Sequence, residues 1–295
     1  MIRTLTLLLL LLGLAAAMPG TARATSGADY LATRLTLSGG FAEAGTSSPS
    51  VSLTEWTVMG LTAAGRHPAT MHRTGGHTPA AFLAAHAGQW DTALELERGI
   101  LGVVAMGRNP FLFGGRNLVS ALRSRIVSSS GRIGTQLNST YWGVLALKAA
   151  GSPVSWRTGA YIRNHQLSSG GYSWGVGAGP DSNDTAAAVL ALRVIATPCS
   201  WKAVHHAYDY LNTLHHADGG YGLTQTAASD SQSTSWAIQA RIRCSLSNTG
   251  ALAYLAARHL PSGAYNYQQG RGLTPVWVTS QVLPAVNHRP YPVRP

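Results

Sequence analysis

The amino-acid sequence predicts an all-α protein, an (α/α)6 toroid of about six helix-pair repeats with a period of about 45 residues. Three observations predict this fold. A helix-ending signature recurs along the chain, a helix-starting signature follows it after a polar loop, and the copies are evenly spaced. Such a period is typical of proteins in which one pair of secondary elements repeats and neighbouring pairs bury a common core.

The first signature is an aromatic-apolar pair followed about ten residues later by Gly-Gly-aromatic or a close variant. Adjacent glycines end a helix because they adopt the left-handed conformation that side chains with a Cβ resist. Each copy therefore predicts the end of a helix. The copies are Tyr30-Leu31 with Gly39-Gly40-Phe41, Tyr161-Ile162 with Gly170-Gly171-Tyr172, Tyr210-Leu211 with Gly219-Gly220-Tyr221, and Tyr254-Leu255 with Gly263-Ala264-Tyr265.

The second signature is a triplet beginning with Thr that opens an apolar run. From Thr140 the next three copies follow at steps of 45, 49 and 45 residues, and Thr54 lies 86 residues before it. A degenerate copy is predicted in that gap, at 101–110, where residues 106–110 resemble residues 64–68. The copies are Thr54-Glu55-Trp56, Thr140-Tyr141-Trp142, Thr185-Ala186-Ala187, Thr234-Ser235-Trp236 and Thr279-Ser280-Gln281.

The helices of the two signatures differ in polarity, which predicts two rings. Second helices such as 186–195 are apolar almost all round and are predicted to form the inner ring, whereas first helices such as 201–214 carry polar residues and suit the outer ring. Ser52 with Glu55 has the spacing of a capping box that would start an inner helix. An open solenoid of the same helix pairs is the alternative, because it differs only in curvature.

The N-terminal segment predicts export. Arg3 precedes the apolar run Leu5–Leu14, and Ala22-Arg23-Ala24 has the small-x-small pattern that signal peptidases cut. Residues 1–24 are therefore predicted to be a signal peptide, and residues 25–295 a single toroid domain. The run is too short for a transmembrane helix, and no later segment is long and apolar enough for one.

The composition of the chain indicates which class of partner it contacts and bears on the compartment in which it works. Charged residues are 11% of the chain, and the net charge of +11 is spread without a basic block. Diffuse basicity favours contact with anionic envelope polymers or lipids and argues against nucleic-acid recognition, which usually needs a clustered stripe. Cys199 and Cys244 lie 45 residues apart, at equivalent repeat positions. In an exported chain they are disulfide candidates; two reduced buried thiols are the alternative.

Two segments resemble a known superfamily. Tyr161-Ile162-Arg163-Asn164-His165-Gln166 through Gly171-Tyr172-Ser173-Trp174 resembles the Gln-and-Trp repeat of squalene and hopene cyclases, in which those residues staple outer helices to the following turn. Residues 274–285, leading to Pro290-Tyr291-Pro292, are similar to the closing repeat of secreted bacterial proteins with prenyltransferase and squalene-oxidase repeats. The resemblance implies the α/α toroid of the terpenoid cyclase and prenyltransferase superfamily. It does not by itself assign a function.

Asp181, Asp184 and Asp230 are the candidate catalytic residues. Cyclases of this superfamily protonate their substrate with an Asp-x-Asp-Asp motif, and Asp181-Ser182-Asn183-Asp184 is the nearest segment, without the adjacent acid pair. Helix capping is the favoured explanation, because Asp accepts free N–H groups at a helix start, and Asp230 occupies the equivalent point one repeat later. Asp184 with Asp230 is also the acid pair that a glycoside hydrolase would need at one mouth.

No metal site or cofactor is predicted. Prenyltransferases of this superfamily bind zinc through an Asp, a Cys close after it and a distant His, but neither Cys199 nor Cys244 has an Asp two residues before it. His205-His206 and His215-His216, with Asp209 nearby, are more typical of a solvated helix face than of three convergent ligands.

Trp56, Trp142 and Trp236 recur at one position of the inner helices, and Trp277 begins the last. They either line an aromatic mouth that binds an apolar ligand or pack the core between repeats. The function predicted first is an exported, non-catalytic domain that binds an apolar small molecule or an envelope component. A cyclase-like enzyme using an Asp acid is second, and a structural protein-interaction domain is third.

Overall fold

A computed structural model of the chain describes residues 26–295; the predicted signal peptide, 1–24, lies outside the described residues. Twelve α-helices occupy this part, with two short 3-10 helices at Pro68–Thr70 and Ala87–Gln89 and one antiparallel ribbon, β1 (Tyr221–Gly222) with β2 (Ser229–Asp230). The helices are α1 Gly27–Thr33, α2 Val51–Ala63, α3 Pro79–His86, α4 Ala93–Ala105, α5 Leu118–Arg123, α6 Leu137–Ala149, α7 Trp156–Asn164, α8 Ser182–Val194, α9 Lys202–Thr213, α10 Ser231–Ile242, α11 Thr249–Ala256 and α12 Pro275–Val286.

The even-numbered helices form a closed inner ring. Each packs against the next, from α2 through α4, α6, α8 and α10 to α12, and α12 packs against α2. The odd-numbered helices surround this ring, each packed against at least one inner helix. The predicted all-α toroid of helix pairs is therefore confirmed, and the open solenoid is excluded because the last repeat contacts the first.

Burial explains which helices are inside. In α2, eleven of the thirteen residues are buried, so the helix needs apolar or hydrogen-bonded side chains on every face. In α9 the buried residues fall on one stripe, and the rest of the helix carries Lys, His and Asp into solvent. The polarity difference in the sequence thus reflects the two layers.

One hydrogen bond joins the two sequence signatures. In five repeats the inner-helix Thr accepts, through its Oγ1, a backbone N–H from the end of the turn that lies between the outer and the inner helix. A buried N–H without a partner costs about 1–3 kcal/mol, so this contact fixes each turn to the helix that follows it. The N–H and Oγ1 pairs are Phe41 with Thr54 (2.8 Å), Ile133 with Thr140 (3.2 Å), Tyr172 with Thr185 (2.9 Å), Tyr221 with Thr234 (2.9 Å) and Tyr265 with Thr279 (2.9 Å).

The prediction that the Gly-Gly pair ends the outer helix is wrong: α7 ends at Asn164, and Gly170-Gly171 lie in the turn that follows, where they pack against the next repeat. Gly170 has φ of +89°, and a Cβ there would lie 2.3 Å from the carbonyl oxygen of His206 in the next outer helix. A Cβ on Gly171 would lie 2.8 Å from the ring of Tyr210. Both glycines therefore allow the neighbouring repeat to approach the turn closely.

Two predicted staples differ in outcome. Gln166 does tie its turn to the next outer helix, because its Nε2 donates to the carbonyl oxygens of Ala203 (2.7 Å) and Gly170 (2.8 Å). The ring of Trp174 is 52% exposed, and its backbone carbonyl instead accepts the N–H of Asn138 (3.1 Å). The Trp half of the predicted staple is therefore not formed by the Trp174 side chain.

The predicted capping box of α2 is wrong. Ser50 is the N-cap and accepts the N–H of Leu53 (3.3 Å), whereas Ser52 lies inside the helix. Glu55 is buried and its Oε2 accepts from Nε of Arg98 on α4 (2.9 Å). Because α2 begins directly after Ser50, Glu55 is its fifth residue and pairs with the next repeat instead of capping the helix.

The predicted disulfide is confirmed. Cys199, in the connection between α8 and α9, is bonded to Cys244, which follows α10, with a Cα–Cα distance of 5.9 Å. The bridge joins two neighbouring repeats at the end of the ring where the inner helices finish. The alternative of two reduced thiols is excluded.

We call the end where the inner helices finish the closed end, because residues 287–295 cross it. The ring of Tyr291 enters the axis from there and is fully buried. Arg289 donates to the carbonyl oxygen of Thr62 at the end of α2 (2.9 Å), and Arg294 donates to that of Ala149 at the end of α6 (3.0 Å). These arginines tie the C-terminal segment to the ends of two inner helices. None of the described helices has the length and hydropathy of a membrane span.

Candidate functional site at the mouth of the ring

We call the opposite end, where the inner helices begin, the mouth. The loops before the inner helices lie over the starts of neighbouring ones: the Leu223 carbonyl accepts the N–H of Ser182 at the start of α8 (3.0 Å), as the Trp174 carbonyl does at α6. Large apolar side chains remain exposed on these loops, namely Trp174, Val176, Leu223 and Leu273. Exposed apolar side chains concentrated at one opening are typical of an interaction site.

The four tryptophans singled out in the sequence meet on the axis. Trp56 is central: its ring centroid lies 5.3 Å from that of Trp142, 6.1 Å from Trp236, 5.9 Å from Trp277 and 5.8 Å from Tyr291, all edge-to-face. This geometry is favourable for aromatic pairs. The rings therefore fill the axis and form the floor of the mouth.

Their exposure divides them into two pairs. Trp56 and Trp236 are 6% and 3% exposed, and the Trp236 Nε1 donates to Oε1 of Gln281 (3.0 Å). Trp142 and Trp277 are only partly buried. The first pair belongs to the core, and the second pair presents aromatic surface to the mouth.

Asp181 and Asp230 cap inner helices. The Asp181 Oδ1 accepts the N–H of Asp184 at the start of α8 (2.8 Å). The Asp230 carboxylate accepts both the N–H (2.7 Å) and the Oγ–H (2.8 Å) of Ser233 at the start of α10. Burial raises the pKa of Asp230, and these hydrogen bonds from Ser233 offset part of that rise. Both carboxylates are thus engaged by helix N–H groups.

Asp184 differs from both caps. Burial, with Asp181 close by, raises its pKa to about 8, although a hydrogen bond from Asn138 favours the charged form. At neutral pH the carboxyl is therefore largely protonated. It is a hydrogen-bond donor as well as an acceptor, and its partner Asn138 lies on α6 one helical turn before Trp142.

Glu43 caps a helix at the mouth, a role that the sequence did not reveal. Its carboxylate accepts the N–H of Val276 (2.8 Å) and of Trp277 (3.1 Å) at the start of α12, where Thr274 provides no side-chain cap. A carboxylate at this end of a helix is favoured by the helix dipole. Glu43 joins the first repeat to the last beneath Trp277, and a partner 233 residues distant leaves no signal in local spacing.

Glu97 was also missed. It is fully buried on α4, and neither carboxyl oxygen has a hydrogen-bond partner within the described residues. Burial raises the pKa of Glu97 well above the ordinary value, and the charge of Arg98 opposes the shift. It lies in the degenerate repeat, where the periodic pattern was weakest.

The histidine pairs do not converge. His205 Nδ1 lies 3.1 Å from Asp209 Oδ2 on the exposed face of α9, while His216 Nδ1 is hydrogen-bonded to Ser229 Oγ (3.0 Å). Over residues 26–295, no group of three or more His, Cys, Asp or Glu side chains is placed to hold a metal ion.

Comparison with known proteins supports the fold. No protein-family model and no curated protein sequence matches the chain. Among solved structures, a protein from Actinoplanes superposes with a TM-score of 0.63 at 16% identity, covering 89% of this chain and 97% of that one. The type II terpene cyclase MstE from Scytonema, in complex with geranylgeranyl dihydroxybenzoate, gives 0.65 at 13% identity, with coverages of 89% and 95%.

A wild-type glycosidase gives a TM-score of 0.62 at 10% identity, covering 91% of this chain and 96% of that one. At these identities the likeness establishes the toroid fold alone. Two neighbours of different chemistry on the same fold mean that function must be argued from the site.

Proposed function

We propose that this chain is an exported, non-catalytic toroid domain whose mouth binds an apolar or uncharged component of the cell envelope. The observation that carries the proposal is the filled axis. An enzyme that folds a long isoprenoid needs an enclosed cavity, whereas here Trp56 lies within 5.3–6.1 Å of four other rings. A ligand of this mouth therefore rests on the aromatic floor instead of entering the ring.

Export is part of the proposal. The predicted signal peptide and the Cys199–Cys244 bridge both fit an oxidising compartment, since disulfides persist outside the cytosol and are rare within it. In such a compartment the partners within reach are envelope molecules.

The chemistry of the mouth favours an uncharged ligand. Trp142, Trp174 and Trp277 offer aromatic surface, and Asp184 is largely neutral at pH 7. A protonated carboxyl donates a hydrogen bond without the large desolvation cost of a charge. The site thus combines apolar contact with one directional polar group.

The test uses the full chain, expressed in a host that exports and oxidises it. The purified protein is extracted with organic solvent and the extract is examined by mass spectrometry for a stoichiometric compound. Tryptophan fluorescence is then titrated with geranylgeraniol and with a neutral glucan oligosaccharide. We expect a co-purifying compound or a saturable change with one probe.

Trp174→Ala should weaken that binding at least tenfold, because the half-exposed ring lies at the mouth and its indole makes no hydrogen bond within the described residues. Trp156→Ala is the matched control: Trp156 is 71% exposed on the outer helix α7 and should bind as the original chain does. Absence of both compound and fluorescence change, or equal losses in the two variants, would refute binding at the mouth and favour a protein-interaction role.

A second candidate is a cyclase-like enzyme with Asp184 as its acid. The observation that favours it is the pKa of about 8, which keeps a proton on Asp184 near neutrality. Its test is turnover of squalene and geranylgeranyl dihydroxybenzoate by the full chain. Turnover that Asp184→Asn abolishes, without loss of folding, would replace the first proposal.

A further inference from the structure

We propose a second binding site, on the outer surface, that takes an anionic polysaccharide. It is the groove between the end of α7 and the start of α9, distinct from the mouth, with a volume of about 480 Å³. The sugar rings of the polysaccharide would stack on Trp201, and its carboxylate or phosphate groups would pair with Arg163, Lys202 and His206.

The walls of the groove are held in place. One wall is the last turn of α7 with the following turn, and the other is the first two turns of α9. Gln166 ties them together through its bonds to Gly170 and Ala203. A groove whose walls are already fixed loses little conformational entropy when a ligand binds.

The lining is basic. Arg163 and Lys202 line the groove with His206, and none of its eight lining residues is acidic. Neither cation takes part in a salt bridge among the residues the structure describes. Unpaired cations facing one groove attract an anionic chain.

Trp201 supplies the second half of the site. Its side chain is 48% exposed, and Cζ of Arg163 lies 4.6 Å from its ring centroid. Stacking on the ring holds the planar guanidinium at the groove, where it can bind a carboxylate or phosphate through two N–H groups. The exposed part of the Trp201 side chain offers apolar surface on which a sugar ring can stack.

Grooves at two other repeats show what sets this one apart. In the groove beside α1, Arg34 donates to the carbonyl oxygens of Ala42 and Glu43 and so serves the loop. In the groove beside α11, Arg241 donates to the carbonyl oxygen of Ser247. Those arginines are used by the fold, whereas Arg163 has no such hydrogen bond in the described residues and is available to a ligand.

Polygalacturonate is the probe, with dextran as its neutral counterpart. Binding to the full chain is measured by calorimetry at low and high salt. We expect saturable binding of polygalacturonate that weakens as salt rises, since salt screens exposed charges, and no binding of dextran. Trp201→Ala and the double variant Arg163→Gln with Lys202→Gln should each reduce affinity at least tenfold.

The matched control is Arg157→Gln with Lys148→Gln, which lowers the net charge by the same amount outside the groove. We expect it to bind normally, and Trp174→Ala likewise, which separates this site from the mouth. An equal loss in the control would mean that diffuse basicity alone binds the polymer, and refutes the site. Binding to phosphatidylglycerol vesicles without binding to polygalacturonate would also overturn it, in favour of a lipid surface.

Discussion

The two ends of the ring use large aromatic side chains in opposite ways. At the closed end Tyr291 enters the axis and is fully buried, and arginines from the same segment bind the carbonyl groups at the ends of inner helices. At the mouth Trp174 is half exposed, and its backbone carbonyl, not its indole, makes a hydrogen bond within the described residues. Under the proposal that the mouth binds a ligand, substitutions at the closed end should change stability and substitutions at the mouth should change binding.

The strongest test of the closed end is Tyr291→Ala. Removing a buried ring that contacts Trp56, Trp142 and Trp236 leaves a cavity on the axis, and truncations of this kind cost about 3–5 kcal/mol. We expect that loss in the free energy of unfolding, measured with urea. Tyr291→Phe is the control: the hydroxyl has no partner within the described residues, so its removal should be neutral or stabilising. A loss below about 1 kcal/mol for the alanine variant would show that the axis does not depend on this plug.

The disulfide should rank next. Replacing Cys199 and Cys244 together by Ser opens a loop of 45 residues, and bridges over such loops typically contribute about 2–4 kcal/mol. Urea unfolding of the double variant, compared with the original chain with and without reductant, measures this contribution. If the free energy of unfolding of the original chain is the same with and without reductant, the bridge does not stabilise the closed end.

The parts that the sequence predicted are those that repeat. The Thr185 hydroxyl and the Tyr172 N–H are partners 13 residues apart, and because the same pair recurs in other repeats, its two halves were visible as two signatures. The cysteine pair was predictable for the same reason, since its separation equals the period. The repeat pattern therefore made both rings of helices and the disulfide bridge predictable from the sequence.

The parts that the sequence did not predict are single, long-range contacts. Glu43 reaches α12 across the ring closure, and Tyr291 reaches the axis from the end of the chain, so neither is repeated. Glu55 had the spacing of a cap but is buried by Arg98 from the next repeat. Trp56, Trp142 and Trp236 share one position of the inner helices in the sequence, yet Trp142 is only partly buried whereas the other two are buried, a difference that the repeat pattern does not contain.

At the mouth, Asp184→Asn tests the neutral carboxyl. Burial raises the pKa to about 8, so the folded chain holds this proton more tightly than the unfolded chain does. The stability associated with it is complete below the ordinary carboxyl pKa and is lost as pH rises towards 8. Each pH unit in that window changes the free energy of unfolding by at most about 1.4 kcal/mol.

Asn does not titrate, so the stability of the variant relative to the original chain should increase by about 2 kcal/mol between pH 5 and pH 7. Urea unfolding at several pH values measures the difference. Asp91→Asn, at an exposed position, is the control and should show no such trend. A flat difference for Asp184→Asn would mean that this carboxyl is charged in the folded protein.

The smallest effect on stability is expected for Trp174→Ala. The Asn138 N–H donates to the backbone carbonyl of Trp174, so the contact that orders the loop survives loss of the ring. Exposed substitutions of this kind usually change the free energy of unfolding by less than about 0.5 kcal/mol. Because the same variant is expected to lose ligand binding at the mouth, it separates the two ends most sharply. A large destabilisation would mean that the mouth, like the closed end, is built for stability.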